Sequence, residues 1–293
     1  KKNIDLLKLN NTFSVTTGHQ LCLFTGPLYF IYKIISTINL CEQLAKKYPS
    51  NNFVPIFWMA SEDHDFKEVN HINLFGKQIK WTTKQTGAVG RMNLIDFESV
   101  ILELKSVLGS NKNADKLLAL FKKSYLNNNN LVDATRCLVN ELFGKYGLVV
   151  IDGNHRDFKK DFIPQMKKDI LKKGFVDIIK DCSVNLAQSY KSQAFVRNIN
   201  FFKLCKDQRV LIEGHITERE IEEHPEIFSP NVLLRPLYQE VLLPNVAYVG
   251  GEAELAYWMQ LKSAFQQEHI PFPILVLRNS ALLIDEKKRS IFE

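Results

Sequence analysis

Four ionisable side chains in a row, Glu62, Asp63, His64 and Asp65, directly follow an apolar run, Phe53–Ala60. Crowding such groups at the end of a strand is costly unless a cation or an incoming proton relieves it. Two chemistries use a set of this kind. Asp63 and Asp65 are candidates to hold Mg²⁺, which takes one or two carboxylates together with phosphate oxygens. Any of the four could instead serve as general base towards an amine. A plain helix N-terminus also favours acidic residues, but His64 adds nothing to a cap, so Glu62, Asp63, His64 and Asp65 are read as catalytic. Their spacing matches no zinc arrangement, and zinc is not expected.

Two further segments carry residues able to bind anions. Thr17, Gly18, His19 and Gln20, with Thr25 and Gly26 shortly after, form a glycine-flanked turn whose backbone can approach a phosphate closely. These six are the nucleotide-binding candidates, Thr25 either as helix cap or as phosphate donor. The rival reading, an ordinary turn with a satisfied histidine, has equal weight, because Gly-x-x-x-x-Gly-Lys-Ser/Thr is absent. Lys33, two turns further on, reads as too deep to reach a ligand. In the second segment Arg235 and Gln239 stand at i, i+4 on one helix face, and an Arg there can clamp a carboxylate or phosphate. Gly250, Gly251 and Glu254 add another anion-friendly turn, while Trp258 shares an apolar stripe with Leu255, Leu261 and Phe265 and reads as packing.

The elements that must position these groups alternate between strand and helix. Phe13–Thr17 reads as a strand, Pro27 as the first residue of a helix, and the stripe Leu28, Ile31, Ile34, Ile38, Cys41 and Ala45 as its buried face. The run Phe53–Ala60 is apolar on both faces, as in a helix-covered parallel sheet. Residues 73–82 read as a hairpin turning near Gly76, Phe97–Leu108 and Lys116–Tyr125 as helices, and Asn127–Asn130 as an exposed break before a helix from Leu131. Leu148–Asp152 is a second core strand, Val210–Glu213 another. A helix near Asn231–Val241, a strand Val246–Val249, one helix running to about Glu268 and a strand Phe272–Leu277 complete the pattern. The expectation is an α/β fold around a mostly parallel sheet, with residues 1–75 and 131–293 as core and 76–130 as an inserted α+β lobe.

Composition narrows the class. The 293 residues are 45% apolar and 24% charged, which excludes wholesale disorder. No apolar run is long enough to cross a bilayer, and the start of the chain does not read as a signal peptide. The net charge of +6 is scattered in doublets such as Lys46-Lys47 and Lys122-Lys123, so no nucleic-acid track is expected. Five widely spaced cysteines without a Cys-x-x-Cys pair argue for free thiols and a cytoplasmic protein.

At the same three segments the chain resembles a known family. Thr17-Gly18-His19-Gln20, Phe24-Thr25-Gly26-Pro27-Leu28-Tyr29, Pro55-Ile56-Phe57-Trp58 and Glu62-Asp63-His64-Asp65-Phe66, with Glu68-Val69-Asn70, are similar to segments of the bacillithiol biosynthesis cysteine-adding enzymes, the cysteine ligases. So are Asn231–Pro236, Gln239, Leu243-Pro244, Gly250-Gly251, Glu254, Tyr257-Trp258, Gln260-Leu261 and Pro271–Pro273 with Arg278. His19 departs from the family's expected Gln at that position. The resemblance implies a Rossmann-like core related to nucleotidyltransferases and class I aminoacyl-tRNA synthetases. It implies a carbon–nitrogen ligase, dimeric in full length, that joins L-cysteine to glucosaminyl-malate in the last step of bacillithiol biosynthesis. ATP would activate the carboxylate, with Mg²⁺, and Asn70, Arg235, Gln239, Gly250, Gly251 and Glu254 would bind substrate. The alternatives are an adenylyltransferase acting on another acid and a non-catalytic nucleotide-binding protein. Lacking an initial Met and ending as a mixed-charge helix begins, the chain is expected to be a core without the family's C-terminal coiled coil.

Overall fold

The structure, a computed structural model, describes residues 1–284 and 286–292. Its strands in chain order are β1 (Thr12–His19), β2 (Asn52–Met59), β3 (His71–Leu74), β4 (Lys77–Lys80), β5 (Val149–Asp152), β6 (Phe201–Cys205), β7 (Gln208–Leu211), β8 (Phe228–Pro230), β9 (Asn245–Gly250) and β10 (Ile274–Leu277). Five of them form the central sheet, in the order β10-β9-β1-β2-β5, and every neighbouring pair is parallel. Parallel neighbours need long crossovers. The first is the helix Leu28–Lys47; of its expected stripe Ile34, Ile38 and Cys41 are buried, Ile31 is half-buried, Leu28 and Ala45 are exposed, and Phe30, Lys33 and Thr37 complete the buried face.

Successive residues of a strand point to opposite faces, and β2 shows what each face meets. Phe57 and Met59 enter one apolar cluster, built with the helices Glu98–Leu108, Lys112–Leu126 and Leu131–Phe143. Trp58, between them, enters a second cluster with Phe162, Tyr238, Tyr248 and Trp258. Both faces are thus covered, which is why Val54, Ile56 and Phe57 are all apolar and fully buried. Pro55 is tolerated inside this strand because β5 pairs with β2 only from Ile56 onwards.

Residues between β2 and β5 pack on the first face. The hairpin β3–β4 turns through Phe75 and Gly76, both at positive φ (50° and 78°), the two-residue turn that matches strand twist. The asparagine run does break the chain: Asn127 ends one helix, and the Asn130 side chain caps the next by accepting from the Asp133 amide at 2.8 Å. Phe97 joins this layer to the core, stacked on Tyr125 at 4.7 Å and close to Trp81 and Phe24.

Several local expectations change. The strand expected at Val210–Glu213 is β7, and it lies outside the central sheet, in an antiparallel sheet ordered β7-β6-β8. The pairing that defines β6 and β8 is long-range, and β8 is three residues ending in Pro230, so neither carries a local strand signature. Pro27 is the cap residue of the helix from Leu28 and not its first residue. The single helix expected up to Glu268 is two, Glu252–Met259 and Lys262–Gln267. They part where the buried Gln260 amide accepts from the Gln193 and Ala194 backbone. A short helix, Glu286–Phe292, forms at the C-terminal end; Glu293 lies outside the described residues. Among the described residues no helix is long and apolar enough to cross a membrane.

Phe97→Ala removes the ring that packs Tyr125 and Trp81 against Phe24. The expected cost is about 3–5 kcal/mol, read in urea unfolding as a lower midpoint with an unchanged m-value; a midpoint within error of the parent would contradict this packing role.

Candidate functional site

The central sheet reverses its strand order at β1: β2 and β5 lie on one side of it, β9 and β10 on the other. Crossovers leave the two sides in opposite directions at such a point and open a crevice beyond the strands' C-terminal ends. A cavity of about 730 Å³ occupies that place. Its floor is Gly18 and His19 from β1, Trp58 and Met59 from β2 and Tyr248 from β9, and the acidic segment Glu62–Asp65 and the turn Gly251–Glu254 form facing walls. The segments singled out in the sequence therefore do converge on one hollow.

The acidic wall is neutralised from within the protein. Glu62 forms an ion pair with Lys159, a fully buried side chain that also donates to the Phe228 carbonyl. Burial holds the Lys159 pKa below the usual lysine range, with Glu62 acting against that shift. Asp63 accepts from Gln20 Nε2 at 2.7 Å and from the His64 amide at 2.7 Å, and Gln20 Nε2 also reaches Glu68 at 2.8 Å. Arg209 of β7 stacks over Phe202 at 4.1 Å, donates to Ser229 and Pro230, and lies 3.3 Å from His64 Nδ1. Since arginine only donates, that contact makes Nδ1 the acceptor and leaves the proton on Nε2. The relief that the sequence assigned to a bound cation comes in part from Lys159 and Arg209. Asp65 stays exposed, and the ligand atoms of Asp63, His64 and Asp65 lie within 4.8 Å of one another; with His64 Nδ1 on Arg209, the two carboxylates are the groups open to a metal ion.

The opposite wall is cationic. Lys33, expected to lie too deep, reaches the cleft: its buried ammonium donates to the Gly18 carbonyl and pairs with Glu254 Oε1 at 2.7 Å. Burial lowers its pKa and Glu254 acts against that. Glu254 Oε2 accepts from the Gly251 amide at 2.8 Å, so both its oxygens are engaged. Arg235 lies 5.8 Å from the Tyr248 ring and 6.0 Å from Trp258. Its Nη1 donates to Gln239 at 3.0 Å and its side chain also meets the Tyr257 hydroxyl, while among the described residues no acceptor pairs with its buried Nη2. Arg278, at the end of β10, covers Tyr29 at 5.1 Å and also lines the cleft.

The candidate residues divide into two groups. Gly18, His19, Gln20, Glu62, Asp63, His64, Asp65, Arg235, Gly251 and Glu254 line the cavity. Thr17, Thr25, Gly26, Asn70, Gln239 and Gly250 are not among its lining residues. Thr17 is buried and donates to the Val249 carbonyl at 2.7 Å, tying β1 to β9. Thr25 neither caps the helix nor faces the cleft. It lies in a turn where Phe24, Thr25 and Gly26 all have positive φ, held by the Tyr125 hydroxyl on the Phe24 amide at 2.8 Å. A Cβ on Gly26 would meet Cys22 Cβ at 2.5 Å, so glycine is required there by packing. Asn70 is buried and donates to the Trp81 carbonyl, and Gln239 lies behind Arg235. Lys159, Arg209, Tyr248 and Tyr257 were not legible as site residues. Lys159 sits in a Lys-Lys doublet resembling a surface face, and Arg209 belongs to a strand seen only through its pairing.

His19 packs against Tyr29 and Phe30, and burial together with Lys33 brings its pKa down to about 4. Cys22 Sγ lies 3.8 Å from His19 Nδ1, yet burial pushes this thiol up to about 12, so it is no ready nucleophile.

A family model described as "Bacillithiol biosynthesis BshC, N-terminal Rossmann-like domain" matches residues 1–279. A protein of Flavobacterium psychrophilum named "Putative cysteine ligase BshC" is 48% identical over 98% of this chain and 57% of its own length. Proteins of the same name from Flavobacterium johnsoniae and Bacillus cereus are 46% and 30% identical, over 98% and 94% of this chain and 57% and 56% of theirs. The chain thus spans somewhat over half the length of the curated relatives it matches. Among solved structures, tyrosyl-tRNA synthetase of Archaeoglobus fulgidus complexed with L-tyrosine overlaps 94% of this chain and 58% of its own at a TM-score of 0.37 and 10% identity, too distant to argue from.

Two outcomes follow from this electrostatics. A folded pKa of about 4 for His19, against an ordinary 6.5, means the unfolded chain binds its proton first on acidification. Stability linked to this group is complete above pH 6.5 and is lost as pH falls towards 4, by about 2 kcal/mol at pH 5. His19→Gln should remove that part of the loss between pH 7 and pH 5 in denaturant unfolding; equal losses in both proteins would refute it. Glu62→Gln leaves the buried Lys159 ammonium without its anion and should cost about 3–5 kcal/mol. Asp65→Asn should stay within about 0.5 kcal/mol of the parent, and similar stabilities for the two variants would show that Glu62 has no structural task.

Proposed function

The chain belongs to the bacillithiol biosynthesis BshC family, and we propose that its cleft is the ligation site of a cysteine ligase that joins L-cysteine to glucosaminyl-malate. One observation carries this reading: a single cavity has on one wall a guanidinium, Arg235, that no carboxylate among the described residues neutralises, and the Asp63–Asp65 carboxylates on the other. Glucosaminyl-malate has the same polarity, two malyl carboxylates at one end and the sugar amine at the other. In this reading Arg235 takes the carboxylates, helped by Arg278. Asp63 and Asp65 face the amine.

A carboxylate and an amine do not condense usefully in neutral water, so the cysteine carboxylate must be activated. Bound ATP would supply the leaving group, and Mg²⁺ would screen its phosphates. The residues fit both: the Gly18–Gln20 turn lies at the C-terminal end of β1, in the crevice where ligands of such sheets bind, and Asp63 and Asp65 can share a cation. The protein's own contribution is positioning and charge. Arg278 stabilises anionic groups at the β1–β9 crevice. Asp63, fixed by Gln20, holds the amine where it can attack. His64, with its proton on Nε2, is set up as a hydrogen-bond donor, not as the base. That leaves Asp65, the exposed carboxylate beside it, to take the proton released as the amide forms.

The test is mass spectrometry of the full-length protein incubated with ATP, Mg²⁺, L-cysteine and glucosaminyl-malate. Bacillithiol should form, and omission of ATP should abolish it. Arg235→Leu should raise KM for glucosaminyl-malate at least about tenfold, the loss of a charge-assisted contact, and Asp65→Asn should lower kcat with little change in KM. ATP consumption with other acids, and none that depends on cysteine plus glucosaminyl-malate, would identify an adenylyltransferase instead.

A further inference from the structure

Behind Arg235 a chain of polar side chains runs under the sheet, and none of it reaches the cleft. Arg235 Nη1 donates to Gln239 Oε1 at 3.0 Å. Gln239, wholly buried, donates through Nε2 to Glu240 Oε1 at 2.7 Å. The same Glu240 oxygen accepts from Asn245 Nδ2 at 2.9 Å. Asn245 Oδ1 in turn accepts from Ser14 at 3.1 Å and Thr16 at 3.0 Å, both buried on β1. Buried polar groups carry a desolvation cost that only complete pairing offsets, and an apolar packing would have supported the helix Leu234–Leu242 equally well.

We infer that Gln239 is a positioning residue that aims the Arg235 guanidinium into the cleft without neutralising it, and that Glu240 and Asn245 hold the Gln239 amide in the orientation this requires. The inference rests on the anion end of the cleft proposed above. Its logic is the choice of acceptor. A carboxylate at position 239 would hold the guanidinium as firmly, but in a desolvated site it would cancel much of the charge offered to a ligand. An amide oxygen holds Nη1 and leaves the charge of the guanidinium uncancelled. An amide can also turn about and present its NH₂ to Arg235, donor against donor. Glu240 prevents this by engaging Nε2, and Asn245, anchored to β1, keeps Glu240 in place. Burial raises the Glu240 carboxyl to about 8, so at neutral pH it is mostly protonated and adds little negative charge behind Arg235.

The test uses the full-length protein and L-malate as probe, with dimethyl malate as the uncharged control, by calorimetric titration at pH 7. The parent should bind malate and not the ester. Gln239→Glu should weaken malate binding at least tenfold while the thermal midpoint holds or rises, because a new ion pair forms. Glu240→Gln, which keeps a neutral acceptor in the same place, should bind within threefold of the parent. If Gln239→Glu does not fold, Gln239→Met, which removes the acceptor without adding charge, should weaken binding several-fold. Malate binding unchanged in the position-239 variants, or no malate binding by the parent, overturns the inference. Failure of the ligation reading is distinguishable: malate would bind with the predicted ranking while no cysteinyl product forms.

Discussion

Burying an ammonium group in a protein costs several kcal/mol unless an anion comes with it, and this requirement organises the rim of the sheet. Lys33 and Lys159 are both buried, and each is answered by one glutamate, Glu254 and Glu62, from a segment far away in the chain. The first pair closes the β1–β9 side of the crevice and the second ties the end of β2 to the helix Arg156–Asp161. Removing either anion would leave a charge with nowhere to go. The two glutamates, though placed in the most chemically suggestive stretches of the sequence, are thereby largely committed to holding the walls together.

That commitment leaves a small set of groups free to act. Of the cations that line the crevice, Lys33 is matched, Arg209 is spread over Ser229, Pro230 and His64, and Arg278 lies 3.7 Å from Glu252, whereas Arg235 and the exposed Arg197 have no carboxylate partner among the described residues. Of the anions, Glu62 and Glu254 are spent, Asp63 is oriented by Gln20 and by the amide of His64, and Asp65 is exposed. The polarity of the cleft is therefore set by subtraction, by which charges the fold has not already used.

Subtraction of this kind is why the sequence could point to the rim but not to the working groups within it. The helix from Leu28, the strand around Ile56, the hairpin at Gly76 and the break at Asn127–Asn130 were legible because local pattern and local geometry agree there: period 3.6, a doubly buried apolar run, a left-handed turn, a side-chain cap. The Glu62–Asp65 stretch was legible for a similar reason, four titratable groups at a strand end. Lys159 and Arg209 were not, since nothing within ten residues of either distinguishes it from a solvated charge; only the approach of β8 and β6 buries them. Thr25, Asn70 and Gln239 fail in the opposite direction. Each sits within a few residues of a lining residue, and each is turned away from the cleft by the period of its own element or by a partner such as the Trp81 carbonyl.

These supporting residues explain why a family resemblance covers more of the chain than its cleft does. A sequence pattern does not separate a side chain that meets a ligand from one that holds such a side chain in place, because the two stand within a few residues of each other on the same elements. Thr17 joins β1 to β9 at the point where the sheet reverses. Asn245 joins the start of β9 to β1 and, through Glu240, to the helix that carries Arg235. The crevice is thus bordered by the same two strands whose cross-links fix its cationic wall. A shift of β9 against β1 would displace Arg235 and Tyr248 together, so the register between these strands sets the geometry of the anion end as directly as any residue inside it.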